Sequence, residues 1–376
     1  MDGAIHLHPG LPRQIFPLQE PRRFAAKPGG VSPTPMDILQ VAKRAKVSTA
    51  TVSRVLNGFP GVRKVTVARV RRAIAELNYV PNPNARSLRV GRSRLFGLIV
   101  SDINNPFFPE LVDAFEALAA AEKIEVIFTH TNYDPKRLHS CIRRMIERSV
   151  DAIAVMTSEV DETALQEAVK AGVPVALMNQ RKLAAKYPNV PVEYAAGFRE
   201  ALDHLLALGH RDIGFIAGPE TLSSAQGRKE AFKAALKSHG LHVRTEWIAT
   251  GDMRVEGGRT AMEKLLACNP RPTAVLASND LMAVGALQAA HAAHLSVPKN
   301  LSIIGFDDIP IAAMVHPPLS TIRHPRREVA ARAFACLQMS LQGGKAEMNL
   351  PLQPHLVIRN STAPPLGKKR ARASRR

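Results

Sequence analysis

The sequence predicts an all-α helix-turn-helix head followed by an α/β body of two lobes, each built on a doubly wound parallel sheet. Three observations carry this expectation. Residues 36–58 hold two short helical patterns around a tight turn. From Leu95 onward, short apolar runs alternate with amphipathic helical stretches. The charge follows the same division. Of a formal net +19, residues 36–94 hold thirteen Lys/Arg against two Asp/Glu, the first thirty-five residues add a net +2, and the last fourteen add six Arg/Lys and no acid. Residues 95–362 are then neutral, and a basic head on a neutral body is the asymmetry that binding to phosphates rewards.

In the head, Ile38, Leu39, Val41, Ala42 and Ala45 recur at helical spacing behind a capping Asp37. Ser48 is a suitable N-cap for a second helix that buries Val52, Val55 and Leu56. Its outward face shows Thr49, Ala50, Ser53 and Arg54, short side chains and one forked donor, which suits a helix laid in the major groove of DNA. An ordinary helical hairpin is the alternative on these residues alone. Thr66–Leu77 reads as a third helix with Val67, Val70, Ile74 and Leu77 as its apolar stripe. Arg69, Arg71 and Arg72 face solvent or phosphate. Pro81 and Pro83 end this helix, and Ala85–Arg89 is too short to be helical alone, so it is expected to order on DNA or to be a plain linker.

Residues 1–35, with seven prolines and no periodicity, are expected to be a disordered leader. Met36 opens directly onto the first helix and is a candidate start, which an intact mass of the native protein would test.

In the body, the apolar runs Phe96–Val100, Glu125–Thr129, Ala152–Met156, Val173–Met178, Ile213–Ala217, Ala274–Ala277 and Ser302–Phe306 are each followed by an amphipathic stretch. Those stretches are Glu110–Ala121, Lys136–Arg148, Glu162–Ala171, Ala196–Leu208, Ala225–His239, Val255–Cys268 and Asp280–His294. Strand, crossover helix and strand in repetition mean parallel sheets, and seven units exceed one comfortable sheet. The residues 363–376 form a basic tail, expected to be disordered.

Several classes are disfavoured. Cys141, Cys268 and Cys336 lie far apart without metal-ligand spacing, which suits reduced thiols in a cytoplasm. No run is long enough to cross a bilayer, and the N-terminus lacks an apolar h-region. There is no phosphate-cradling glycine loop and no nucleophile elbow, so neither an enzyme nor a cofactor or metal is expected.

The motifs V-S-T-A-T-V-S-R-V-L-N-G (47–58), P-N-x-x-A-R-S-L-R (81–89), N-P-F-F (105–108), G-H-R-D-I-G-F-I-A-G-P (209–219), S-N-D-L-M-A-V-G-A (278–286), I-G-F-D-D (304–308) and P-L-S-T-I-R (318–323) stand in this order. In order and spacing, residues 36–362 resemble the lactose/galactose repressor family of bacterial transcription regulators. The resemblance implies a cytoplasmic homodimer whose heads bind a near-palindromic double-stranded operator. Thr49, Ala50 and Arg54 would read base edges, with Arg54 on a guanine, and Ser48, Thr51, Ser53 and Asn57 would contact phosphates. Leu88 takes the position of a minor-groove wedge. The implied domains are a head at 36–81, a hinge helix or linker at 82–94 and an effector-binding, dimerising body at 95–362.

The body resembles periplasmic sugar-binding proteins, with a ligand cleft between the lobes. Lobe 1 would span about 95–193 and 324–353; lobe 2 would span about 194–323, with a closing strand near 354–362. Asp102, Phe107 and Phe108 would wall the cleft from lobe 1, and Ser224, Arg228, Met253, Asn279 and Asp307 from lobe 2. Directed donors and acceptors beside an aromatic suit a sugar or sugar derivative. Structural roles remain open for each: Asp307 as a turn cap, Asn279 and Asp280 as helix caps, and the phenylalanines as core.

The chain departs from the family pattern at Met253, where an aromatic is common, at Glu193-Tyr194 and at Ala231. In the head it departs at Gln40 and at Lys46, which replaces a turn glycine and costs about 1 kcal/mol or more if φ is positive there. His210, the tempting catalytic histidine, is structural on this pattern. The implied function is a repressor whose operator affinity is set by a small molecule between the lobes. The alternatives are control by a protein partner or a solute-binding protein.

Overall fold

A computed structural model describes residues 37–79, 92–159, 161–179, 183–184, 186–344 and 350–366. The expectations for the leader, for Met36, for the hinge with Leu88 and for the basic tail from 367 lie outside the described residues.

The head is three helices: α1 (Ile38–Ala45), α2 (Thr49–Leu56) and α3 (Lys64–Glu76). Asp37 caps α1 in a reciprocal box with Gln40, and Ser48 caps α2 by accepting from the Thr51 amide at 3.2 Å. Val41, Ala42, Ala45, Val52, Val70 and Ala73 form the core where the helices meet. Leu39, expected in the apolar stripe, is exposed, because the stripe runs 38, 41, 42, 45 and leaves position 39 at its margin. The α1–α2 turn passes through Lys46 at φ 49°, ψ 51°, so the left-handed conformation is present without a glycine.

The body forms a separate unit of two sheets. The first comprises β1 (Leu95–Val100), β2 (Glu125–His130), β3 (Ala152–Met156), β4 (Val175–Met178) and β5 (Asn189–Val190), all parallel in the order β2-β1-β3-β4-β5. Its crossovers are α4 (Phe107–Ala121), α5 (Pro135–Glu147) and α6 (Glu162–Lys170). Helix α4 begins three residues before the sequence suggests: the Asn105 side chain accepts from the Phe107 amide at 3.1 Å, and Pro109 needs no partner in a first turn.

After β5 the chain crosses through α7 (Tyr194–Ala207) into the second sheet. Its strands are β6 (Ile213–Ala217), β7 (Ile248–Thr250), β8 (Ala274–Ala277), β9 (Ser302–Asp307), β10 (Ser320–Arg323) and β11 (His355–Val357). They lie in the order β11-β10-β9-β8-β6-β7, parallel except for β11 against β10. Helices α8 (Ser223–Ser238), α9 (Val255–Leu266), α10 (Asp280–Ala292) and the short α11 (Pro310–Met314) complete it.

Helix α12 (Arg326–Leu341) follows β10 yet packs on α4 of the first sheet, where Phe334 lies 5.6 Å from both Phe96 and Phe115. The chain then returns beside its first crossing. Leu352 donates to the Pro191 carbonyl at 2.9 Å, and Glu193 donates to the Leu352 carbonyl at 2.8 Å. His210 anchors the closing segment, with Nε2 2.8 Å from the Ala363 carbonyl and Nδ1 2.9 Å from Thr273 Oγ1, which is the structural role expected of it. Among the described residues, no helix is long and apolar enough to cross a membrane.

Candidate functional site

In the head, α2 presents Ala50 and Arg54 to solvent with Thr49 half-buried beside them. Ser48, exposed, sits at the helix N-terminus with its hydroxyl 3.0 Å from Thr51 Oγ1. Backbone N–H groups and short hydroxyls at such an end can hold a phosphate. Ser53 corrects the expectation of an outward residue. It is 9% exposed, and the Asn57 amide one turn on donates to its carbonyl at 2.6 Å and its hydroxyl at 3.3 Å. That pairing turns Ser53 and Asn57 toward each other.

In the body, a cleft is lined by Asn105, Phe107 and Phe108 of the first lobe and by Ser224, Arg228, Met253 and Asp307 of the second. Tyr133, Ser158, Met178, Tyr194 and His324 complete the lining. Of the expected residues, Phe107, Phe108, Ser224, Arg228, Met253 and Asp307 therefore come together. Asp102 and Asn279 stand behind the wall. Asn279 caps α10 by accepting from the Met282 amide at 2.9 Å, and it donates to the Met253 carbonyl at 2.8 Å. Asp102 accepts from the Asn104 amide at 3.0 Å.

Arg228 Nη2 donates to Asp307 Oδ1 at 3.0 Å, Nη1 donates to the Ser278 carbonyl, and the guanidinium lies 3.9 Å from the Phe306 ring centre. Burial opposes the charge on Arg228, but Asp307 and Tyr194 more than offset it and hold the cation firmly. Burial lifts Asp307 above the usual carboxylate range while Arg228 and Arg326 pull it back. Burial, then the fields of Arg228 and Arg326, push His324 well below its ordinary value. Burial also raises Tyr133, with Asp102, Asp307 and Glu159 adding to the effect, so it stays a neutral donor. Met253 at φ 70° and Asp307 at φ 114° hold left-handed backbone, strain that gathers at sites serving a purpose.

The lobes touch directly across the cleft. The Ser223 amide donates to the Ser158 carbonyl at 3.0 Å, and the Ser158 and Ser224 hydroxyls are 2.7 Å apart. Arg254 Nη2 donates to Asn132 Oδ1 at 2.8 Å and pairs with Asp102 at 3.4 Å. The enclosed space is about 20 Å³, room for one water-sized body, whereas small-molecule pockets hold about 300–1,000 Å³. A body larger than water fits among these side chains only if the lobes part.

Asn105 and Met178 line the cleft without having been expected there, as do Tyr133, Ser158, Tyr194 and His324. Each of these last four follows a strand by a few residues: β2, β3, β5 and β10. The carboxyl edge of a parallel sheet is where open α/β folds bind ligands, so distance past the runs of β2 and β3 is a signal for Tyr133 and Ser158. By contrast, β5 and β10 carry no apolar run that would point to Tyr194 and His324.

A family model described as bacterial regulatory proteins, lacI family, matches residues 37–82, and one for a periplasmic binding protein-like domain matches residues 202–362. Catabolite control protein A of Priestia megaterium is 33% identical over 328 residues, covering 86% of this chain and 98% of that protein. The lac repressor dimer bound to operator and the anti-inducer ONPF superposes with a TM-score of 0.79 at 27% identity, over 88% of this chain and 100% of that one. A complex of the transcriptional regulator CelR with cellobiose superposes at 0.63 and 27%, over 87% and 99%. With three helices that present Arg54, two parallel sheets that close on Arg228 and Asp307, and these likenesses over nearly the whole fold, the chain belongs to the lacI family of bacterial regulatory proteins.

Proposed function

We propose that this protein is a sequence-specific DNA-binding repressor, acting as a homodimer in the cytoplasm, whose operator affinity responds to a small molecule held between its lobes. The observation that carries the reading is that one chain joins an exposed helix bearing Arg54 to a buried, aromatic-lined cleft that holds the Arg228–Asp307 pair. The lac repressor and CelR complexes, with an operator and an anti-inducer in one and cellobiose in the other, favour a near-palindromic site and a sugar or sugar derivative. On this reading residues 36–81 read DNA, 82–94 couple, and the lobes of 95–362 sense and dimerise. Thr49, Ala50 and Arg54 face bases, Ser48 and Thr51 face phosphates, and Leu88 wedges the minor groove. No catalytic step is assigned.

Parting of the lobes breaks the Ser158–Ser223 and Arg254–Asn132 contacts, and effector bound in the cleft shifts that equilibrium. The coupling to DNA is reciprocal: whatever the effector does to operator affinity, operator does to effector affinity. The test is an anisotropy titration of a selected operator duplex and a scrambled duplex at moderate salt, with and without candidate sugars. Selective binding that a sugar changes is expected; equal binding to both duplexes would sink the reading.

A further inference from the structure

Among the described residues, two buried nitrogens on the cleft lining have no hydrogen-bond partner: Arg228 Nε and His324 Nδ1. A buried polar group left unpaired is costly, so its presence in a cleft wall points to something that pairs with it. Arg228 uses its two other nitrogens on Ser278 and Asp307. The His324 ring stands among aromatic neighbours, 5.0 Å from Phe107, 6.3 Å from Phe306 and 6.4 Å from Tyr194. It is 2% exposed.

In this wall three cations are matched to three anions. Arg228 pairs with Asp307, Arg326 pairs with Glu110 of α4 at 2.7 Å, and Arg254 pairs with Asp102. Behind it Asp308 takes both Arg323 and Arg359. The buried Asp280, which burial raises above the usual carboxylate range, is held by the Thr321 hydroxyl and the Ile309 amide. Tyr133 keeps its proton, and the buried Glu159 is held by the hydroxyls of Thr131 and Ser101, burial raising it above the usual carboxylate range. Tyr194 faces the ring from α7. A carboxylate that enters this buried set alone adds a negative charge to it, and His324, a cleft-lining imidazole with an unpartnered ring nitrogen, is placed to receive a proton with it.

We propose that the cleft seats the carboxylate of an acidic effector, such as a sugar acid, on Arg228 Nε and His324 Nδ1, and that His324 takes up one proton as the effector binds. This deepens the regulator reading and rests on it. The carboxylate arrives ionised and one solvent proton bonds to the imidazole. The resulting imidazolium and the guanidinium then both donate to the carboxylate, and the net charge of the cleft is unchanged. Such charge-assisted pairs are the stronger hydrogen bonds. Before binding, burial and the two guanidiniums keep His324 neutral; the bound carboxylate reverses that balance, so affinity rises as pH falls.

The test is calorimetric titration of the full chain with D-glucuronate and D-gluconate, and with neutral D-glucose, at about pH 6 and about pH 8. At each pH the titration is repeated in two buffers of different ionisation heat. Expected are binding of at least one acid, glucose tenfold or more weaker, and uptake of about one proton. Affinity for the acid should fall by up to about tenfold per pH unit, as one linked proton allows. His324→Gln should remove the pH dependence. If that variant does not fold, the two-buffer proton count on the unaltered protein decides alone. Preference for glucose, acid binding without proton uptake, or no binding of either acid at millimolar concentration would overturn the proposal. Loss of operator selectivity in the same preparation would instead overturn the regulator reading and leave the acid-binding result standing.

Discussion

Arg228 and Asp307 form an ion pair at 3.0 Å in which neither side chain is more than 5% exposed. Such a pair costs desolvation to make, and removing one partner leaves an uncompensated buried charge, a loss of about 3–5 kcal/mol. Asp307→Asn should therefore lower the unfolding free energy by that order in urea melts. It should also abolish small-molecule binding in the cleft. A variant as stable as the parent would show that Arg228 is not left as an uncompensated buried charge.

Arg54→Ala should weaken operator binding by about 1–3 kcal/mol and relax selectivity at one base position, as loss of a forked contact to a base does. A uniform weakening across all operator variants, with a shallower salt slope, would reassign Arg54 to phosphate.

Lys46 holds φ 49° with a β-carbon, at a cost of about 1–2 kcal/mol relative to an unstrained residue. Lys46→Gly should stabilise the head by up to about 1 kcal/mol, part of the gain being lost to glycine's freedom in the unfolded chain. It should also weaken DNA binding at low salt, because a cation is removed. Thermal melts read by head-specific probes and a salt series of DNA titrations separate the two effects.

His324 sets an acid limit on stability. Its unfolded value is the ordinary one of about 6.5, and its folded value lies well below. Between the two, the unfolded chain binds the extra proton, so this contribution is complete above about pH 6.5 and is lost as pH falls beneath it. Urea melts taken from pH 8 downward should show falling stability that His324→Gln partly flattens. A variant with an unaltered acid slope would place the effect elsewhere, with half-buried His204, which shifts in the same direction, the next group to replace.

Strands buried on both faces were the most legible part of the chain. β1, β3, β6, β8 and β9 are buried and largely apolar, with ends that match the sequence reading within a residue. β4 begins two residues late, after Pro174, and the edge strand β2, none of whose residues is fully buried, also ends within a residue of its reading. The short β5, β7 and β10 were not legible. N-V, I-A-T and S-T-I-R carry no period of their own and become strands by pairing with longer neighbours. The same holds for the cleft. Asp307 lies in the I-G-F-D-D motif and Arg228 is placed by its position in the family pattern, whereas Ser158 and His324 acquire a role only when loops from two sheets are brought face to face. Ser53 misled because a short polar residue on a polar face says nothing about a neighbouring Asn57 that folds over it.

Helix α12 and strand β11 have a bearing on how the molecule is made. Helix α12 covers α4 and the first sheet, although it is encoded after almost all of the second sheet. Strand β11 then returns to flank β10, and the segment behind it meets His210. During synthesis from the N-terminus, the 95–190 stretch emerges with its strands but without its covering helix, and 194–323 emerges without its outer strand. Nascent chains halted at about residue 323 should expose apolar surface to chaperones in both halves at once, and release of the remaining 53 residues should bury both together.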